Sequence, residues 1–189
     1  TRLHFEASPS NPRAALARID HPDGGQEQFE YDAEGQINRH IGAQGQTQQY
    51  QHGAFDTLRV HIDAAGHRTE YHRDPCNRLK EIVNALRQSW RFEYDLAGRL
   101  VGELDWGGRA TQYQHDPLGR LISKTLADGS QHRYHYNEQD QLSRIEAGQW
   151  ARDYRYDEAG RVIEASNERL EKKSGQTQVE SRVQLEYNA

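Results

Sequence analysis

Phe92-Glu93-Tyr94-Asp95-Leu96-Ala97-Gly98-Arg99-Leu100 is the stretch that decides how the chain folds. Phe92 and Tyr94 lie two residues apart, so on a strand both rings point to one face and Glu93 points to the other. Asp95 and Gly98 suit the first and fourth positions of a type I turn. Leu100 then opens a second strand. Nine residues thus predict strand, tight turn and strand.

The same string recurs outward in both directions. Upstream are Phe29-Glu30-Tyr31-Asp32, Tyr50-Gln51-His52-Gly53 and Tyr71-His72-Arg73-Asp74. Downstream are Tyr113-Gln114-His115-Asp116, Tyr134-His135-Tyr136-Asn137 and Tyr154-Arg155-Tyr156-Asp157. The first rings are 21 residues apart, except for a last step of 20. Six positions past each second ring position comes an aliphatic residue: Ile37, Leu58, Leu79, Leu100, Leu121, Leu142 and Val162. Leu16 fits one period earlier. A fixed period of this length marks a repeat protein, in which each unit leans on its neighbours.

Each repeat reads as two strands and two turns. The residue between the rings is always polar, which marks a half-exposed antiparallel strand. The first turn begins at Asp32, Gly53, Asp74, Asp95, Asp116, Asn137 or Asp157. Its fourth residue is Gly35, Asp56, Asn77, Gly98, Gly119, Asp140 or Gly160, all types that tolerate a left-handed backbone. Leu58, Val60 and Ile62 alternate on the second strand and are expected to share a face. A second turn carries Gly eight residues past the aliphatic, as in Asp63-Ala64-Ala65-Gly66 and Asp105-Trp106-Gly107-Gly108. The third repeat departs there, with Asn84-Ala85-Leu86-Arg87. The count predicts about 14–17 strands in one long meander, each of usual strand length.

Composition agrees only once the repeats are seen. Leu, Ile, Val and Phe make up about one residue in six of the 189, and mean hydropathy is −1.10. Such a chain would suggest disorder if its net charge were high. The net charge is only −5, with ten Tyr and 16 Gly. That balance leaves no electrostatic footprint for nucleic acid. No apolar run is long enough for a membrane helix, so no stable membrane insertion is expected. One cysteine, Cys76, excludes a disulfide framework. The chain starts at Thr1 without an apolar leader and reads as a piece of something longer.

Tyr94-Asp95-Leu96-Ala97-Gly98-Arg99-Leu100 resembles the Rhs/YD repeat, whose pattern is YD-x-x-GRL. Asp116-Pro117-Leu118-Gly119-Arg120-Leu121 and Tyr156-Asp157-Glu158-Ala159-Gly160-Arg161-Val162 match it too. The resemblance covers roughly residues 13 to 165. It implies an all-β fold: a curved antiparallel β-meander of YD repeats forming an arc of a spiralling β-shell. Residues 1–12 would be a lead-in, 13–165 the repeat array, 166–183 a charged insertion or long loop, and 184–189 the start of a further repeat. Rhs proteins and the related Tc-toxin components enclose a C-terminal toxin in such a shell. The resemblance therefore implies a structural segment of a bacterial toxin-delivery protein, made in the cytoplasm and secreted or delivered to target cells. Delivery would serve contact-dependent or type VI secretion-mediated competition. The implied partners are the enclosed toxin, neighbouring repeats, a secretion spike and a chaperone. Teneurins use a YD shell in adhesion, which keeps open an alternative: an extracellular module that binds glycans or an adhesion partner.

Candidate site residues are accordingly structural. The repeat aromatics are Phe29, Tyr31, Tyr50, Tyr71, Phe92, Tyr94, Tyr113, Tyr134, Tyr136, Tyr154 and Tyr156. The repeat turns are marked by Asp32, Gly35, Asp95, Gly98, Asp116, Gly119, Asp157 and Gly160. No catalytic residue, cofactor or metal is expected. The histidines lack a metal-binding motif, and the Asp-rich turns lack a calcium-loop pattern. Asp116-Pro117-Leu118-Gly119 carries the DP-x-G string that ends Rhs cores near a self-cleavage site, but two further repeats follow it, and a turn explains it. Trp90 and Trp150 extend the ring-bearing strand faces and suit either a cross-strand ladder or sugar stacking. The charged run from Asn167 to Gly175 reads as an elongated hairpin or a projecting loop.

Overall fold

The computed structural model describes residues 1–7, 14–170 and 177–185, with no account of the side chains of 170 and 177–180. The chain is all-β and antiparallel. Its contacts divide it into two units, Thr1–Arg91 and Phe92–Ala189.

The first unit holds β1 (Arg2–Glu6), β2 (Ala15–Asp20), β3 (Gln26–Tyr31), β4 (Ile37–Ile41), β5 (Thr47–His52), β6 (Leu58–Ile62), β7 (Arg68–Arg73) and β8 (Leu79–Val83). The division falls within β9 (Ser89–Tyr94). The second unit continues with β10 (Leu100–Leu104), β11 (Ala110–His115), β12 (Leu121–Thr125), β13 (Gln131–Tyr136) and β14 (Leu142–Ala147). It ends with β15 (Trp150–Tyr156), β16 (Val162–Leu170) and β17 (Thr177–Gln184). Within each unit, strands pair with their neighbours in sequence. Each unit is a meander.

β3, β11 and β13 alternate exposed and half-buried along their whole length, as a strand with one covered face must. Full burial is scarce. Among the described residues, Val60 and Ala151 are the buried apolar side chains, and Ser123, Glu164 and Ser166 the buried polar ones. Glu164 is held between Arg155 at 3.3 Å and Arg182 at 3.2 Å. A sheet with so little interior has little use for a large aliphatic set, which accounts for the composition.

One expectation needs correction. Leu58, Val60 and Ile62 do not share a face. Leu58 pairs with His52, but Val60 pairs with Gln51 and Ile62 with Gln49. Arg59 is the extra residue of a β-bulge, and the bulge resets the alternation. Leu58 therefore joins the ring-bearing face and Val60 the opposite one. The same shift follows the first turn in the hairpins β3–β4, β7–β8, β11–β12, β13–β14 and β15–β16.

The step of 20 residues also has a local cause. Ala147 pairs directly with Trp150, so only Gly148 and Gln149 form the connection. Gly148 has φ 61, as the first central residue of a two-residue hairpin turn requires. The charged run from Asn167 is strand as far as Leu170, paired with β17; residues 171–176 lie outside the described residues, as do 186–189 of the further repeat.

Candidate functional site

The recurring site is a bracket formed by a turn and a ring. At each first turn, the N–H of position one donates to the carbonyl of position five at 2.8–2.9 Å, from Asp32–Gln36 to Asp157–Arg161. At six of the seven, the N–H of position four also donates to the carbonyl of position one. Gly35, Gly98, Gly119 and Gly160 hold the fourth position with positive φ. Asp56, Asn77 and Asp140 occupy the same place at φ 56, 64 and 60.

The side chain at position one completes the turn. Asp116 Oδ1 accepts the Arg120 N–H at 2.9 Å, and Asp116 Oδ2 accepts Arg120 Nε at 2.7 Å. The same pair of bonds joins Asp74 to Arg78, Asp95 to Arg99 and Asp157 to Arg161. A second-series turn repeats it between Asp105 and Arg109. This accounts for arginine after glycine: the guanidinium neutralises the capping carboxylate while the backbone amide caps on it. Asp32 caps the amides of Glu34 and Gln36 without such a partner.

The electrostatics follow. The guanidinium of Arg78 holds the Asp74 carboxyl below its usual range. For Asp95, Asp105 and Asp157, the first cause of the same lowering is the amide of the arginine at position five. For Asp116, partial burial pushes the other way, but the amide and guanidinium of Arg120 outweigh it.

The second ring ties one repeat to the preceding one. Tyr31 Oη donates to the Leu16 carbonyl at 2.8 Å, Tyr136 Oη to Leu121 at 2.8 Å and Tyr156 Oη to Leu142 at 2.7 Å. Burial raises the pKa of all three phenols. Arg120 also lies over the Tyr136 ring at 4.7 Å, so one turn and the next ring are joined. The first rings are stacked or capped across the strand pair. Phe29 stacks on His40 at 4.7 Å and Tyr50 on His61 at 5.0 Å. Tyr113 Oη donates to Glu103 at 2.6 Å; burial first, then this carboxylate, raises its pKa. Tyr71, Tyr134 and Tyr154 face Ile82, Ile145 and Ala165. Phe92 and Tyr94 are half-buried on β9.

Sequence reading named the rings and turns but not two parts of the bracket. The arginines Arg78, Arg99, Arg109, Arg120 and Arg161 could have been found from their fixed offset of four from Asp. The hydroxyl-to-carbonyl bonds could not, because they depend on the register of the next hairpin. Among the described residues, no group of three or more His, Cys, Asp or Glu is placed to hold a metal. Asp116-Pro117-Leu118-Gly119 and Asp74-Pro75-Cys76-Asn77 both sit in these turns.

Residues 57–176 match the Teneurin YD-shell family. The chain belongs to that family. A YD-shell is a structural wall, and the bracket is its repeating joint. No curated protein matches the chain. Among solved structures, the crystal structure of TcdB2-TccC3 is similar at 17% identity and TM-score 0.67, over 87% of this chain and 10% of that one. The crystal structure of TcdB2-TccC3-Cdc42 is similar at 16% identity and TM-score 0.58, over 88% of this chain and 12% of that one. At these identities the likeness is one of fold. The chain spans about a tenth of the length of the chains it matches in those structures. No helix among the described residues is long and apolar enough to cross a membrane.

Proposed function

We propose that this YD-shell segment is part of the wall of a bacterial toxin-delivery protein, in which the complete shell encloses a C-terminal toxin until delivery. The observation that carries this reading is the near-absence of interior. Val60 and Ala151 are the buried apolar side chains among the described residues, while both backbone turn bonds recur at six of the seven first turns. Such a chain spends its sequence on joints between repeats, as a wall does. Neighbouring repeats of the full shell are then its structural partners, and the enclosed domain its cargo. Secretion or injection into a competing bacterium, by a type VI spike with its chaperone, fits the same reading.

The test is protection of the cargo. The full-length protein, tagged at its C-terminus, is digested with a protease under native conditions and after the shell is loosened with denaturant. Protection of the tagged segment in the first case and cleavage in the second are expected. Cleavage at the rate of the isolated segment under native conditions would overturn the reading.

A further inference from the structure

Two neighbouring first turns of the first unit, at Gly53 and at Asp74, enclose a groove of about 370 Å³. That volume is in the range of clefts that take a ligand. Its apolar lining is formed by Phe55, Tyr71 and Pro75, and its polar lining includes Arg59, Arg73 and Asp74. The Gly53 turn is the irregular one of its series. Phe55 sits there with left-handed backbone, φ 59, and is 84% exposed. A bulky side chain seldom adopts that backbone, and strain of this kind collects at binding sites. A ring so exposed adds next to nothing to burial within the sheet.

The positive charge of the groove is available. Arg59, the exposed extra residue of the β6 bulge, makes no hydrogen bond or ion pair among the described residues. Its stem lies 3.9 Å from where a Cβ on residue 53 would stand. An aspartate there, as at most other first turns, would set a carboxylate against that stem; glycine does not. Arg73 gives one N–H to the Asn77 carbonyl at 3.1 Å and makes no ion pair among the described residues. The one carboxylate of the lining, Asp74, is already taken. It accepts from the Arg78 guanidinium at 2.7 Å and from the amides of Cys76 and Arg78. The side chains from β5 to β8 are all described, and none of their carboxylates comes within ion-pair distance of Arg59 or Arg73.

We propose that this groove binds an acidic peptide segment of a partner protein. An apolar side chain of the segment lies against Phe55, Tyr71 and Pro75, and its carboxylates lie on Arg59 and Arg73. Aromatic residues and arginine are the types that concentrate in protein interfaces. A planar guanidinium suits a carboxylate in both shape and charge. Charge complementarity selects an acidic occupant, and the exposed ring selects one that also carries an apolar side chain. The surface is small, so the contact is weak and reversible. This inference stands independently of the shell reading.

The test titrates an acetylated pentapeptide, four acidic residues around a central phenylalanine, into the full chain and follows heat. A neutral control peptide carries asparagine and glutamine in place of the acids, and a thymidine pentanucleotide supplies charge without a peptide. The acidic peptide binds with Kd below about 1 mM, and both controls bind at least about tenfold more weakly. Arg59→Gln, which loses no partner in the folded chain, weakens the acidic peptide about fivefold or more, and Phe55→Ser about threefold or more. Arg2→Gln, the same loss of charge on β1, leaves affinity within about twofold. Equal binding of either control, an unchanged affinity in Arg59→Gln, or no binding at about 5 mM peptide would overturn the proposal.

Discussion

The turns at Asp116 and at Gly53 occupy the same place in the repeat and are built differently. Both keep the outer bond, from the N–H of position one to the carbonyl of position five, at 2.9 Å and 2.8 Å. Around Asp116 everything else is present: the inner turn bond, the carboxylate cap, the Arg120 pair and one left-handed residue, Gly119. Around Gly53 there is no side chain to cap with. Phe55 and Asp56 both adopt left-handed backbone, at φ 59 and 56, and Phe55 is 84% exposed. Thr57 Oγ1 bonds instead to the Ala54 carbonyl at 2.9 Å. The outer bond therefore belongs to the strand register, while the shape inside it belongs to the acceptor at position one.

Acid should break this comparison most strongly. The carboxyls of Asp63, Asp74, Asp95, Asp105, Asp116 and Asp157 titrate below their ordinary value in the folded chain. A lowered folded-state pKa gives stability that is present above the unfolded value of about 3.9 and is lost as pH falls through the folded value. Thermal unfolding from pH 6 to pH 2 should show Tm falling steeply below about pH 4. Hydrogen exchange at the Arg99 and Arg120 amides should speed up there, while Gln88 and Gln141, capped by Asn84 and Asn137, keep their protection. Equal acid sensitivity at Asp-capped and Asn-capped turns would contradict the assignment.

Grafting the complete turn onto the irregular one is the next test. The triple variant Gly53→Asp, Asp56→Gly, Thr57→Arg should gain about 2 kcal/mol, from a new cap and relief of a left-handed aspartate. Urea unfolding measures it, and a loss would mean that the Gly53 turn is set by its surroundings. Removing a cap that cannot titrate is smaller in effect. Asn137→Ala strips acceptors from the Gln139 and Gln141 amides and should cost about 1 kcal/mol. The smallest change is a gain. Arg87 holds φ 61 where the other five-residue turns of its series place glycine, and Arg87→Gly should stabilise by about 0.5–1 kcal/mol. The cost of losing its 3.6 Å pair with Glu70 is small, because Arg87 is 83% exposed.

What the sequence made legible was whatever recurs at a fixed offset. Rings two apart, Asp and Gly three apart, and an aliphatic six past the second ring position are local signals with a steric cause. The bulge after the first turn was not legible, because Arg59, Asn38 and Ile122 share no chemistry at that place. A bulge is set by how two strands pair, and it sent Leu58 to the face opposite Val60. The place of Trp150 was half visible: the tryptophan stood out by type, but its direct pairing with Ala147 follows from the shortened hairpin, which only the strand register reveals.

The tyrosine hydroxyls that bond to a carbonyl 14 or 15 residues back bear on how the chain is made. Each of these bonds joins a residue to one already synthesised, less than one period earlier. At about 5–20 residues per second, a ribosome supplies a complete 21-residue period every one to four seconds, roughly. Closing so short a loop takes far less time than that. Each repeat can therefore lock onto the one before it without waiting for distant sequence, so each unit's meander can form during translation through contacts of short sequence separation.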